Sequence, residues 1–245
     1  MAGHPASDVQ LPRASDTVSV RRIPSLSVLA LLAACVPVSS RAVQLYEQFP
    51  QAINAKERYV IFSHGFIAEG EDPKPVSPEY GVYDFPQLKQ AIFEGGGFNL
   101  IAVQRKKNIE PEQHVGQLET WVHQLLDAGV KPTHITLVGF SRGGQLTAFA
   151  SSHLASLGIN TVLLAICSDG DFDAAPEPAV ALGGNLLSIY ETSDRYGSCA
   201  KLAQRSHLTS FKEVAISTGK AHGAFFEPRV EWLRPLKDWI AKTSR

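Results

Sequence analysis

Between residues 58 and 242 the chain alternates short apolar runs with longer segments in which apolar residues recur every three or four positions. The runs 58–62, 98–103, 135–138, 161–167, 185–190 and 211–217 have the length and β-branched content of strands. Run 161–167 is apolar throughout, as a parallel strand covered on both faces should be. Between the runs lie helices. Asp84 caps one that carries Pro86 in its first turn, shows Leu88, Ala91 and Ile92 on one face, and stops at Gly95-Gly96-Gly97. Pro111 opens a second, with Val115, Leu118, Val122, Leu125 and Leu126 in helical register up to Gly129; His114 and His123 fall beside or off that stripe and read as solvated. A third, after residue 141, is rich in small residues (Ala148, Ala150, Ser151, Ser152, Ala155) that allow close packing on a sheet. Trp232, Leu233, Leu236 and Ile240 form the face of a closing helix, where Pro235 marks a kink or a start nearby. Alternating strands and helices predict an α/β domain over 58–242, its mostly parallel central sheet covered by helices on both faces.

Residues 1–40 follow a different pattern. Residues 1–20 are polar; Arg21-Arg22 then precede an apolar run over 26–34, of signal-peptide rather than transmembrane length. Leu32-Ala33-Ala34-Cys35 resembles the lipobox of bacterial lipoproteins, which implies cleavage before Cys35 and a lipid anchor on it. An uncleaved anchor, or a plain signal cut near Ser39-Ser40, is the alternative. The polar stretch ahead of the arginine pair places Met1 upstream of the expected start of such a signal. The expected location is therefore the periplasm or cell envelope, with membrane contact through Cys35, and residues 41–57 read as a linker.

A chain of 245 residues suits one domain with a large core. The net charge of −1, from 23 basic and 24 acidic residues well mixed, calls for neither nucleic acid nor an anionic surface as partner. No Walker loop, His-Glu-x-x-His or Cys-x-x-Cys occurs, so no metal and no organic cofactor is expected.

The chemistry gathers around His134 to Gln145. The strand run ends at Gly139, and Gly143-Gly144 open a helix, so Ser141 falls on a strand-to-helix turn within Gly139-Phe140-Ser141-Arg142-Gly143. A serine in so sharp a turn needs flanking residues without side chains. With 19 glycines in the chain the five letters alone are a weak signal; their context is what counts. In that context the sequence resembles the α/β-hydrolase superfamily, which orders nucleophile, acid and histidine along the chain. The resemblance covers residues 58–242 and implies Ser141 as nucleophile, Asp194 past the fifth strand run as the orienting acid, and His222 beyond the last run as the base. Glu191 is the near alternative for the acid, and Asp169, Asp171 and Asp173 occupy a second position that some members use. His64-Gly65-Phe66 resembles the oxyanion turn, so the N–H groups of Phe66 and Arg142 are the implied donors. Residues 67–83 start at that turn and are placed to wall a pocket, with Glu69, Glu71, Tyr80 and Tyr83 as polar candidates. Residues 169–184 leave no room for a large lid. Phe66, Phe140, Phe172, Phe225 and Phe226 are candidates either for an acyl pocket or for the core.

Of three cysteines, a lipidated Cys35 leaves Cys167, which ends one strand run, and Cys199, which follows the next, and those strands are neighbours in the family's sheet; a disulfide or two free thiols are both open. The function implied is that of a serine hydrolase acting on a small-molecule carboxylic ester. An amidase or peptidase, an acyltransferase, or a silent binding module on the same fold would carry the same motifs.

Overall fold

The computed structural model describes residues 42–168 and 180–244. In chain order the elements are β1 (Leu45–Tyr46), β2 (Tyr59–Ser63), β3 (Val76–Ser77), β4 (Gly81–Val82), α1 (Phe85–Phe93), β5 (Asn99–Ile101), α2 (Pro111–Asp127), β6 (Ile135–Phe140), α3 (Arg142–His153), β7 (Asn160–Leu164), β8 (Gly183–Glu191), α4 (Ala200–Gln204), β9 (His207–Ile216) and α5 (Val230–Thr243). Seven strands form one sheet in the order β1-β5-β2-β6-β7-β8-β9, every neighbouring pair parallel, while β3 and β4 make a small antiparallel hairpin.

The period of two along each strand divides the core. Val60, Phe62, Val138 and Phe140 face one side, where they pack with Leu88 and Ile92 of α1 and with Trp232, Leu236, Trp239 and Ile240 of α5. Tyr59, Ile61, Ile135 and Leu137 face the other, against Val115, Leu118, Val122 and Leu125 of α2 and Leu146 and Ala150 of α3. β2, β6 and β7 are buried along their whole length, which explains their continuous apolar runs.

Several boundaries differ from the pattern. The segment 41–57, read as a linker, contributes β1, paired with β5 at the sheet edge. β5 is shorter than its apolar run. β7 stops at Leu164, because Ala165 turns to φ 51° and Cys167 leaves the strand to bridge Gly197. β9 begins earlier than residue 211, its polar and largely exposed residues suiting an edge strand. Pro235 lies inside α5 rather than at its start. The Asp84 cap forms as expected, its carboxylate accepting the Gln87 N–H at 3.0 Å. Cys35, Asp169, Asp171, Asp173 and Phe172, and most of the segment judged too short for a lid, lie outside the described residues.

Candidate active site

Between the end of β6 and the start of α3 stands a single residue, Ser141, with φ 53° and ψ −127°. A non-glycine residue there stores on the order of 1–3 kcal/mol of strain, which the surrounding packing must impose. That packing is visible at the glycines. A Cβ on Gly139 would lie 2.5 Å from Gly143 O and from Thr147 Oγ1. One on Gly143 would lie 2.2 Å from the main-chain oxygens of Ser63 and His64, and one on Gly144 2.2 Å from Ile166 Cγ2. The start of α3 is thus pressed against β2 and β6 with no room for side chains. The Ser141 N–H donates to Leu164 O at 3.1 Å, and its carbonyl accepts from Gln145 N at 3.0 Å.

His222 sits in the short 3-10 turn Ala221–Phe225 beyond β9, and Asp194 in the turn after β8. His222 Nδ1 and Asp194 Oδ2 are 2.7 Å apart, and the carboxylate side chain is only 2% exposed. The imidazole is walled by aromatic rings: Phe140 at 4.8 Å between centroids, Tyr196 at 5.1 Å and Tyr80 at 5.9 Å. The contact with Phe140 brings it against the residue that precedes Ser141. Ala165 and Ala221, at φ 51° and 46°, are further non-glycine residues with positive φ, and they follow β7 and precede His222 respectively. Strain therefore gathers at the carboxyl ends of the strands, where ligands bind in open α/β sheets.

Glu191, the alternative acid, does not reach His222. It is 1% exposed, and both its oxygens are occupied. Oε2 accepts from Ser193 N at 2.7 Å and from Ser193 Oγ; Oε1 accepts from Thr218 N at 2.8 Å and Gly219 N at 3.1 Å. Ser193 Oγ in turn accepts from Ala221 N at 3.2 Å. One carboxylate thus joins the loop that carries Asp194 to the loop that carries His222. Burial alone would raise its pKa, but the bonds from Ser193, Thr218 and Gly219 outweigh burial and leave it lowered.

On the other flank, Phe66 opens the 3-10 turn Phe66–Ala68, and the preceding Gly65 is so close to the Ser141 turn that an added Cβ would lie 3.5 Å from Ser141 Cβ. Arg142 is the first residue of α3, where N–H groups have no partner within the helix. His64 is fully buried and structural: its Nε2 accepts from Arg105 N and its Nδ1 donates to Gly65 O, both at 2.8 Å. Burial first, and the Arg105 charge second, hold it well below the ordinary imidazole pKa. Glu69 links the turn to two arginines. Its Oε1 is 3.4 Å from Arg105 Nη2 and 3.2 Å from Arg142 Nε, the second contact an ion pair without a directed hydrogen bond. Glu69 Oε2 and Arg105 Nη1 are buried with no hydrogen-bond partner among the described residues. The Arg142 guanidinium also lies 5.7 Å from the centre of the exposed Phe66 ring.

Of the pocket candidates on residues 67–83, Tyr80 reaches the site through His222, Glu69 acts as described, Tyr83 is core and Glu71 faces solvent. Phe140, Phe225 and Phe226 belong to the core. Cys167 and Cys199 form a disulfide. His114 corrects the sequence reading: it is 4% exposed, with Nε2 3.0 Å from Ser63 Oγ, because the polar end of β2 turns inward beneath α2. Helical periodicity had placed it beside the apolar stripe, and nothing in the sequence signals the Ser63 partner. The same holds for Arg105, an arginine 3% exposed that hydrogen-bonds His64 behind the His64-Gly65-Phe66 turn. Among the described residues, no group of three or more His, Cys, Asp or Glu side chains is arranged to hold a metal.

No protein-family model matches the chain, and no curated protein matches it by sequence. Solved structures do match. EstE5 aligns at a TM-score of 0.52 and 12% identity, over 76% of this chain and 77% of its own. The Francisella virulence factor BioJ aligns at 0.52 and 14%, over 77% and 78%, and RedJ at 0.50 and 12%, over 78% and 97%. At such identities the likeness speaks to architecture alone. The parallel seven-stranded sheet with helices on both faces, shared with these structures, is the α/β-hydrolase fold.

Proposed function

We propose that this chain is a serine hydrolase that cleaves a carboxylic ester through an acyl-enzyme on Ser141. The observation that carries the reading is the pairing of a strained serine turn with an Asp194–His222 hydrogen bond of 2.7 Å at the same sheet edge. A serine hydroxyl is a weak nucleophile at its free pKa and needs an adjacent base. With Nδ1 engaged by Asp194, Nε2 is the nitrogen left to serve Ser141. No hydrogen bond joins Ser141 Oγ to His222 in this structure; a serine–histidine contact of this kind is commonly long without substrate and tightens in the Michaelis complex.

In the first step Ser141 Oγ bonds the carbonyl carbon while its proton passes to His222, whose cation Asp194 stabilises. The N–H groups of Arg142 and Phe66 receive the oxyanion. As the acyl C–O bond breaks, the proton moves from His222 to the departing alkoxide. Water then attacks the acyl-enzyme with the same base, giving a carboxylic acid and restoring Ser141. Ser141→Ala should lower kcat on a simple ester by about 10⁴ to 10⁶ without loss of fold. A folded variant with near-normal turnover, checked by circular dichroism, would remove Ser141 from the reaction.

A further inference from the structure

A cavity of about 230 Å³ lies between the carboxyl ends of β2 and β5 and the helix α2, and none of Ser141, Asp194 and His222 borders it. Buried Ser63, Arg105 and His114 border it on the inside, and the exposed residues Lys106 and Gln117 at the surface. Val103, Ile109 and Trp121 supply an apolar wall, Val103 and Trp121 being packed on the core beneath α2. No Asp or Glu borders the cavity, so its two charges, Arg105 and Lys106, are both positive.

The buried guanidinium is only partly compensated. Arg105 Nε and Nη2 each lie 3.4 Å from Glu69 Oε1, and Nη2 also donates to His64 O, but Nη1 is buried with no hydrogen-bond partner. Glu69, the one carboxylate paired with Arg105 among the described residues, is shared with Arg142. Burial lowers the Arg105 pKa to about 10 in spite of that carboxylate, which therefore offsets only part of the cost of burying the charge. His114 has a matching deficit. Its Nε2 engages Ser63 Oγ at 3.0 Å, and the Gln117 side chain favours the protonated ring, yet Nδ1 has no hydrogen-bond partner. Where the Ser63 hydroxyl donates to Nε2, the ring hydrogen lies on Nδ1 as an unpaired donor. Native interiors pair nearly all such groups. Water in the cavity would accept from both donors without offsetting the charge, whereas an oxyanion would do both. The apolar wall then discriminates among oxyanions: inorganic phosphate would lose hydration against Val103, Ile109 and Trp121, while the alkyl stem of a carboxylate would cover them.

We infer that this cavity is a binding site for a small carboxylate with a short alkyl stem, its oxygens on Arg105 Nη1 and His114 Nδ1 and its stem along Val103, Ile109 and Trp121. The site is separate from the Ser141 turn and does not depend on the serine-hydrolase reading. The test titrates acetate, butyrate, butyramide and inorganic phosphate into the purified protein by calorimetry, in sodium chloride at constant ionic strength. Butyrate should bind one site per chain with a Kd of about 0.1–1 mM, within reach of so small a ligand. It should bind about tenfold more tightly than acetate, from about fourfold for each of two added methylenes. Phosphate and the uncharged butyramide should each bind at least about tenfold more weakly than butyrate, from the loss of the covered stem and of the charge respectively. Butyrate should also shift the His114 ring resonances, assigned by their loss in His114→Gln.

Arg105→Gln would break the bonds to His64 and Glu69 as well, so two substitutions at exposed positions carry the test, with circular dichroism to check the fold. Lys106→Gln should weaken butyrate about two- to threefold, the scale of an exposed charge, and Gln117→Trp, which plugs the opening, should abolish binding. No butyrate binding, or binding no tighter than that of acetate, butyramide or phosphate, would overturn the site. Binding that persists in Gln117→Trp would place the carboxylate elsewhere, the Ser141 turn included, and would overturn it equally.

Discussion

Two buried glutamates stand on opposite flanks of the Ser141 turn, and their surroundings differ in kind. Glu191 is held by uncharged donors: three main-chain N–H groups and one hydroxyl, which leave neither oxygen free. Glu69 is held by charge: it lies among the guanidinium groups of Arg105 and Arg142, with contacts of 3.4 and 3.2 Å and one oxygen unpartnered. Directed bonds to main chain set positions tightly, whereas an ion pair chiefly offsets the cost of burying its partner. The first carboxylate should therefore matter mainly to geometry, and the second mainly to stability.

Glu69→Gln is the strongest way to separate them. It leaves the Arg105 charge buried with only neutral acceptors, and should cost about 3–5 kcal/mol of unfolding free energy in urea titrations. Its effect on kcat should be no more than about tenfold, since Gly65 and the 3-10 turn still fix the Phe66 N–H. Glu191→Gln reverses the emphasis. An amide places donors against the N–H groups of Thr218 and Gly219, loosening the two loops, and kcat should fall about 10² with little change in KM, the scale of a small misplacement of catalytic groups. Similar losses of kcat in both variants would erase the distinction.

His114 sharpens the comparison by contrast, as a buried titratable group kept neutral. Burial first, then the Arg105 charge, lowers its pKa to about 3. The unfolded imidazole titrates near 6.5, so between those values the unfolded chain binds the extra proton. Stability from this group is full above about pH 6.5 and is lost as pH falls toward 3. His114→Gln should reduce the slope of unfolding free energy against pH, measured between pH 4 and 6, by about one proton, or roughly 1.4 kcal/mol per pH unit. An unchanged slope would mean that His114 already protonates in the folded state.

Residues whose role is stated by local steric demand are legible in the sequence alone. The Gly139-x-Ser141-x-Gly143 spacing announces a turn that only glycine permits, and the added-Cβ distances of 2.2–2.5 Å at Gly139 and Gly143 give the reason. The Asp84 cap and the α2 stripe are likewise local. Asp194 and His222 were legible only through the chain order of a resembled family, since nothing near either residue indicates that they meet. Groups whose partners are distant in sequence stayed hidden. Glu191 bonds Thr218 and Gly219 across two strands, Arg105 reaches back to Glu69 and His64, and His114 meets Ser63; a helical or strand period carries no record of such pairs. β1 was missed for a related reason, because two residues paired at an edge are too short to leave a pattern.

Covalent capture tests the proposed chemistry most directly. The purified protein is incubated with a fluorophosphonate, digested, and mapped by peptide mass spectrometry. One adduct per chain is expected, on the peptide containing Ser141, and it should be absent from Ser141→Ala and strongly slowed in His222→Ala. An unlabelled protein, or an adduct on another residue at an unchanged rate in both variants, would contradict nucleophilic catalysis at this turn.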